Sequence, residues 1–151
     1  MLCSSLINFF LLEAEYMSTG YSDTPQARKL GVKPGQRICL DNSPPGWRLT
    51  NPPAGISLVG ARGPADLVIS FFTRADKLPT RLPHLVKRIY PSGAIWIAWP
   101  RRAGGHDSEI TGDIVREHAL PLGVVDVKIA AIDEDWSGLR LVWRVSNRGH
   151  L

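Results

Sequence analysis

Apolar residues are grouped along the chain in short runs that predict β-strands. The clearest runs are residues 37–41 (RICLD), 65–72 (ADLVISFF) and 94–99 (AIWIAW). The last two are apolar at nearly every position, which is typical of strands buried on both faces of a parallel sheet. Weaker strand patterns lie at 56–59, 124–132 and 139–145. The connection from Asp133 to Gly138 suits an antiparallel hairpin between the last two strands.

Three other segments have the residue spacing or the terminal residues that are typical of helices. A proline at the first helical position and a glycine after the last one predict a short helix at 25–30. The second predicted helix covers 81–90 and accommodates Pro83 in its first turn. The third begins at Ser108 or Thr111 and buries one apolar face.

The alternation of strands and helices predicts the fold class. We expect an α/β protein with a Rossmann-like three-layer sandwich, a mostly parallel sheet and a C-terminal antiparallel hairpin. Trp96 and Trp99, three apart on one strand, are expected to point to opposite faces of that sheet. The chain has 151 residues, 44% hydrophobic and 21% charged, which suits a single core. We therefore predict one domain over residues 17–148.

The first 16 residues differ from the rest of the sequence. Their apolar part, residues 6–12, is far shorter than the ~20 residues that a membrane span needs. No Lys or Arg precedes Arg28, and two glutamates follow the apolar part. We interpret residues 1–16 as a disordered or mis-annotated extension, with the true start at Met17. A short amphipathic helix or a weak secretion signal is the alternative.

Cysteine usage bears on the compartment. The chain contains Cys3, in the N-terminal extension, and Cys39, in a predicted core strand. Two cysteines placed in this way do not form a disulfide framework. We expect Cys39 to be a small buried apolar residue, and we expect a cytoplasmic protein without membrane association.

Charge is distributed unevenly, although the net charge is only +4. Residues 62–102 contain eight basic and two acidic residues, whereas residues 107–135 contain eight acidic and two basic residues. Such a split is typical of two solvated faces or of pairing within the molecule. Nucleic-acid binding through the 62–102 basic stretch is the less favoured alternative, because no aromatic-interleaved basic run accompanies it.

Several short motifs resemble class I methyltransferases. They are residues 33–41 (KPGQRICLD), similar to the lead-in to the cofactor loop, 65–68 (ADLV), similar to the fourth strand, and 90–95 (YPSGAI), similar to the fifth. The resemblance covers about residues 30–145 and includes the terminal hairpin. It implies a methyltransferase-like topology that is cut short between strands one and four, and it implies S-adenosylmethionine as the cofactor.

A second resemblance is to a family of small bacterial proteins that share a domain of unknown function. Its motifs are residues 20–22 (GYS), 24–25 (TP), 29–31 (KLG), 33–35 (KPG), 99–101 (WPR), Asp133 and 136–138 (WSG). This resemblance covers about residues 20–145. It implies a bacterial protein and no settled activity.

The segment after the first strand argues against a cofactor. A loop that binds a dinucleotide or S-adenosylmethionine needs glycines, so that the backbone turns tightly and approaches the ligand. Here Asp41 is followed by residues 42–46 (NSPPG), whose two prolines lack N–H donors. No Asp or Glu lies between Leu49 and Pro64, where an acid is expected to hold the ribose hydroxyls. We therefore favour a non-catalytic ligand-binding or regulatory module, with an S-adenosylmethionine-dependent methyltransferase as the alternative.

Candidate ligand-binding residues follow the predicted parallel strands, because ligands bind at the carboxyl ends of such strands. Trp136 is added as a residue of the predicted hairpin turn. The candidates are Asp41, Asn42, Thr73, Arg74, Trp99, Arg101, Arg102 and Trp136. Arg74 and Arg101 opposite Asp41 predict a small anionic or hydroxylated ligand. The structural alternatives are a loop cap or an ion pair for Asp41 and a packed corner for Trp136.

Neither a catalytic constellation nor a metal site emerges from the remaining residues. Ser137 lies in a predicted hairpin turn and not at a nucleophile elbow between a strand and a helix. His106 has Asp107 and Glu109 nearby but no second His or Cys at ligand spacing. We predict no catalytic residue and no metal ligand. The sequence leaves protein partners and the oligomeric state open.

Overall fold

The computed structural model of the protein describes residues 24–149. Its helices are α1 (Gln26–Leu30), α2 (Leu78–Arg88) and α3 (Gly112–Ala119), with single 3₁₀ turns at Ala75–Lys77, Arg102–Gly104, Leu120–Leu122 and Val145–Asn147. The strands are β1 (Arg37–Asp41), β2 (Ser57–Leu58), β3 (Leu67–Phe71), β4 (Ala94–Pro100), β5 (Val124–Ala131) and β6 (Trp136–Trp143). The predictions for residues 1–16, for Met17 and for Cys3 lie outside the described residues.

Within residues 24–149 the strands form one six-stranded sheet in the order β2-β1-β3-β4-β6-β5. The strands β1 to β4 run parallel, and β6 pairs antiparallel with both β4 and β5. This mixed sheet, parallel except for its C-terminal hairpin, confirms the predicted fold class. The predicted strand at 56–59 is reduced to two paired residues at the sheet edge.

One apolar cluster lies on each face of the sheet. The sheet and the segments that cover its two faces form the three layers of the fold. On one face α2 and α3 pack over buried strand residues that include Trp99. On the other face α1 and the irregular segment 42–56 pack over a cluster that includes Trp96. The two tryptophans therefore point to opposite faces, as predicted. Cys39 is a buried free thiol, also as predicted.

The last strand begins earlier than the sequence pattern indicates. Residues 136–138 belong to β6 and not to the hairpin turn, so the predicted connection from 133 to 138 and the prediction that Trp136 lies in a turn are wrong. Close packing by neighbouring side chains requires a glycine at position 138 of this strand. A Cβ at this position would lie 2.6 Å from Ile132 Cδ1 and 2.8 Å from Trp96 Cε3. The glycine that looked like a turn signal thus lets the hairpin close against the sheet.

Helix α2 also begins earlier, at Leu78 and not at 81. Pro83 therefore lies inside the helix and not in its first turn, which corrects the prediction. The start is fixed by tertiary packing, because Leu78 is fully buried beside Leu82 and Leu85 in the core. The start of helix α3 agrees with one of the two predicted starts. Thr111 caps the helix, because its Oγ1 accepts a hydrogen bond from Ile114 N at 3.3 Å. None of the helices in the described part of the chain is long and apolar enough to cross a membrane.

Candidate functional site

The carboxyl ends of β1, β3 and β4 lie side by side at one edge of the sheet. The register places Asp41 of β1 opposite Ser70 of β3, and Phe71 of β3 opposite Ala98 of β4. From β1 the chain continues to β2 on one side, whereas from β3 it continues to β4 on the other side. The connections diverge between β1 and β3, which is where open α/β sheets form a ligand crevice.

A cluster of three polar side chains occupies this crevice. Asp41 Oδ2 accepts hydrogen bonds from Ser70 Oγ at 2.5 Å and from Arg81 Nη2. The Arg81 guanidinium also lies 4.8 Å from the ring centroid of Phe72. Ser70 is fully buried, and the Arg81 and Asp41 side chains are 28% and 19% exposed. Between residues 24 and 149, both hydrogen bonds to the Asp41 carboxylate are made to Oδ2.

Asn42 holds the ends of β1 and β3 together. Its backbone has a φ of 57°, in the left-handed region that asparagine tolerates better than most residues. This conformation directs its side chain toward β3, where Asn42 Nδ2 donates to Phe71 O at 2.9 Å. The side-chain amide of Asn42 is therefore engaged in a structural hydrogen bond. It has less hydrogen-bonding capacity left for a ligand than the sequence prediction assumed.

The segment after Asn42 is pinned to the far hairpin by an aromatic cluster. The Trp47 ring packs edge-on against Phe71 with centroids 5.0 Å apart, and Phe71 packs edge-on against Trp136 at 4.9 Å. Trp47 Nε1 donates to Asp133 Oδ2 at 2.8 Å. Trp136 is thus a packed residue at the start of β6, in agreement with the structural alternative given for it.

A separate open cleft of about 1060 Å³ lies further along the same edge. It is lined by Thr73, Arg74, Ala75, Asp76, Arg102, Asp107, Ser108 and Glu109. Arg74 forms a two-point ion pair with Asp76, whose pKa is lowered by these hydrogen bonds. Arg102 Nη2 donates to Ser108 O at 2.6 Å. Three of the predicted residues, Thr73, Arg74 and Arg102, therefore share this cleft.

Two predicted site residues are built into the protein interior. Trp99 is 6% exposed and packs in the α2–α3 core. Arg101 is 7% exposed, and its Nη1 donates to Glu134 O at 3.1 Å. Arg101 supports the β5–β6 turn and does not face Asp41, so the expected Arg101–Asp41 opposition is not present. The arginine that meets Asp41 is Arg81.

Sequence reasoning missed Ser70 and Arg81. Ser70 is the single polar residue within the run 67–72 (LVISFF), and that isolation in a buried strand was the available signal. Arg81 was assigned to the start of a helix, with no role in the crevice. Because α2 begins at Leu78, Arg81 lies in its first turn. This N-terminal end of the helix comes after the carboxyl end of β3 in the chain.

The basic stretch 62–102 makes many contacts within the molecule. Arg88 donates to the carbonyls of Gly60, Arg62 and Gly63 at 2.6, 3.3 and 2.7 Å. Together with the contacts of Arg74, Arg81, Arg101 and Arg102, this pattern supports the interpretation of internal pairing. In the part of the chain that the structure describes, no three His, Cys, Asp or Glu side chains come together as a metal set.

Comparisons with known proteins place the fold. Neither a scan against protein-family models nor a search of curated proteins gives a match. Among solved structures, a SAM-dependent methyltransferase from Aquifex aeolicus has a TM-score of 0.53 and 9% identity, covering 83% of this chain and 92% of that one. The fibrillarin of Aeropyrum pernix, in complex with natively bound S-adenosyl-L-methionine, has a TM-score of 0.49 and 11% identity over 85% and 73% of the two chains. The chain therefore has a methyltransferase-like Rossmann fold, and the resemblance to the small bacterial family stays a prediction.

Proposed function

We propose that the protein is a small-ligand-binding module on a methyltransferase-like fold, without catalytic residues of its own. The observation that carries this proposal is the cluster of Asp41, Ser70 and Arg81 at the point where the connections of β1 and β3 diverge. Such a crevice is the common ligand site of open α/β sheets. A carboxylate whose two hydrogen bonds within residues 24–149 are both made to Oδ2 suits a ligand hydroxyl group.

The charged side chains along the same edge of the sheet indicate a second chemical group on the proposed ligand. Beyond the crevice, the cleft contains Arg74 and Arg102 together with three acidic side chains. Of these acids, Asp76 is paired with Arg74, and Glu109 Oε2 accepts a hydrogen bond from Ala75 N at 2.6 Å. Planar guanidinium groups bind carboxylates and phosphates through two parallel hydrogen bonds. We therefore propose a small molecule that carries both a hydroxyl and an anionic group. Binding of the anionic group requires Arg74 to exchange its contact with Asp76, an exposed pair that costs little to open.

S-adenosylmethionine does not fit the residues that follow β1. Pro44 and Pro45 provide no N–H donors, and the amide of Asn42 already binds Phe71 O. The hydrogen bond and ring contact of Trp47 fix the segment to Asp133 and Phe71. Beyond β2, residues 59–64 (VGARGP) contain no acid for a ribose, and three of their carbonyls are bound by Arg88.

An S-adenosylmethionine-dependent methyltransferase is the second candidate function. It is favoured by the similarity to the Aquifex aeolicus enzyme, which extends over 92% of that chain. The comparisons support this candidate better than the binding module, whereas the residues around β1 support the module. A shared fold alone does not carry an activity, because one fold hosts many functions. Bacterial origin and a cytoplasmic location are part of both proposals.

Calorimetry with S-adenosylhomocysteine distinguishes the two candidates. For the binding module we expect no heat of binding. A micromolar Kd for the wild type that is lost in Asp41→Asn would favour the methyltransferase over the binding module. A library of small hydroxylated acids is then screened by thermal shift, because a ligand of the native state raises Tm by mass action. A ligand of the proposed site raises the Tm of wild type but not of Asp41→Asn.

The cleft is tested with the double variant Arg74→Ala/Arg102→Ala. Both arginines are exposed, so this variant is expected to move Tm little while it weakens an anionic hit at least about tenfold. Lys87→Ala, an exposed change on α2 away from the cleft lining, is the control. Unchanged affinity in the double variant would remove the cleft from the proposed site.

A further inference from the structure

Two cations lie directly opposite each other on the hairpin, on the α1 side of the sheet. Lys128 of β5 pairs in register with Arg140 of β6, and both face α1. Lys128 Nζ donates to Lys29 O at 3.1 Å, and a Cβ on Gly31 would lie 3.5 Å from Arg140 Nη2. Like charges directly opposite on neighbouring strands destabilise a sheet. Such a pair calls for a compensating interaction.

The C-terminus of α1 compensates Lys128 but not Arg140. Cations are favourable near the last carbonyls of a helix, which lack partners within the helix. Here Gly31 N and Val32 N donate to the carbonyls of residues 28 and 27, and Lys128 and Trp96 donate to those of residues 29 and 30. Each of these carbonyls already accepts a hydrogen bond, and none accepts one from Arg140.

Among residues 24–149, no acceptor reaches one N–H group of the Arg140 guanidinium. Its Nε is shielded from solvent and makes no hydrogen bond. Burial lowers the pKa of Arg140, and burial together with the charge of Arg140 lowers the pKa of Lys128. A guanidinium is a fork of five N–H donors. A shielded donor of this kind costs free energy unless an acceptor meets it.

We propose that Arg140 and Lys128, beside Gly31 at the end of α1, form a binding site for an oxyanion, a phosphate or a carboxylate group. Two acceptor oxygens on one group match the guanidinium fork, and the same group neutralises the ammonium of Lys128. Gly31 packs beside the guanidinium, and the Arg140 side chain as a whole is partly exposed. The register places Arg140 opposite Trp96, in the middle of β4, so the site is separate from the crevice at the carboxyl edge.

The test titrates phosphate into the ¹⁵N-labelled full-length protein at constant ionic strength, with sodium chloride replaced as phosphate is added. The Nε–Hε cross peak of Arg140 is assigned by its loss in Arg140→Met. We expect this peak to shift and saturate with phosphate, while the corresponding peak of the exposed Arg144 moves little. A parallel titration with acetate tells the two oxyanion classes apart, since the class with the lower Kd is the ligand chemistry. If the Arg140 peak responds to neither anion, the proposal is overturned.

Thermal unfolding gives an independent readout. The Tm of wild type and of the control Arg144→Met is expected to rise by at least about 2 °C in the saturating anion, because the ligand binds the native state. In Arg140→Met this rise is abolished, and in anion-free buffer the variant melts no lower than wild type because an uncompensated charge has been removed. An equal rise in wild type and Arg140→Met would assign the effect to other cations and refute the site.

Discussion

The Asp41–Arg81 contact is expected to be worth far more than an ordinary surface ion pair, and a double-mutant cycle measures the difference. The changes are Asp41→Asn, Arg81→Met and both together. Asp41→Asn keeps an oxygen that can accept from Ser70 Oγ, so this substitution isolates the charge of the carboxylate. Arg81→Met keeps much of the aliphatic stem that packs near Phe72.

The magnitude follows from burial. The two side chains are 28% and 19% exposed, and Asp41 receives a second hydrogen bond from a fully buried serine. Hydrogen bonds to charged groups contribute about 1.5–3 kcal/mol, and removal of one partner leaves the other charge uncompensated. We expect each single change to cost about 2 kcal/mol and the coupling energy to be about 1–2 kcal/mol. For a chain of this size, the loss lowers Tm by about 4–8 °C.

The assay is urea unfolding followed by tryptophan fluorescence, with the Arg37–Asp66 pair as the matched control. That pair also joins an arginine to an aspartate across strands, but its side chains are 48% and 36% exposed. Its coupling energy is expected to be clearly smaller than that of the Asp41–Arg81 pair because solvent screens it. Equal coupling in both cycles would show that the crevice cluster is a surface ion pair, and the structural basis of the proposed ligand site would be lost.

Two further predictions concern stability. Gly138→Ala is expected to cost about 1–3 kcal/mol, measured by urea unfolding, because its Cβ would overlap Ile132 and Trp96; Gly60→Ala, where nothing lies within 4 Å, is the neutral control. Hydrogen bonds from Arg37 lower the pKa of Asp66, so the unfolded state binds more protons and stability falls as the pH drops from about 5 through the lowered pKa. Asp66→Asn should flatten that acid limb by at most about 1 kcal/mol, since the pair is partly exposed, and an unchanged slope would contradict this assignment.

The strands that were predicted correctly are those whose environment is uniform. Strand β1 has the predicted bounds 37–41, the run at 65–72 contains β3, and β4 extends one residue beyond the run at 94–99. Both faces of these strands are covered, so a run of apolar residues is sufficient to identify them. The start of β6 was missed because a tryptophan, a serine and a glycine resemble a turn locally. Their place in a strand depends on the close packing of Gly138 against Trp96, a long-range contact that no local pattern encodes.

The sequence placed the candidate ligand-binding residues at the carboxyl edge of the sheet, which stays a prediction, and it did not pair Asp41 with Arg81. Strand direction alone placed Asp41, Thr73 and Arg74 near the carboxyl ends, since parallel strands end at a common edge. Which arginine meets Asp41 depends on where α2 begins, and burial of Leu78 decides that start. Arg101 was taken for a surface residue because it follows a strand, but the β5–β6 turn folds over it and accepts its hydrogen bond.

The thin layer on the α1 face explains why an uncompensated arginine can persist there. Helix α1 has five residues and is about 8 Å long, whereas six strands span roughly 24 Å. Between residues 24 and 149, the rest of this face is covered by the irregular segment 42–56 and by long side chains of the hairpin. A longer helix would bring apolar residues over Arg140, where a charge is costly. A short helix that ends at Gly31 leaves room for a charged side chain and for an anion beside it. Among the described residues, the short α1 and the irregular segment 42–56 therefore leave the proposed oxyanion site at the end of α1.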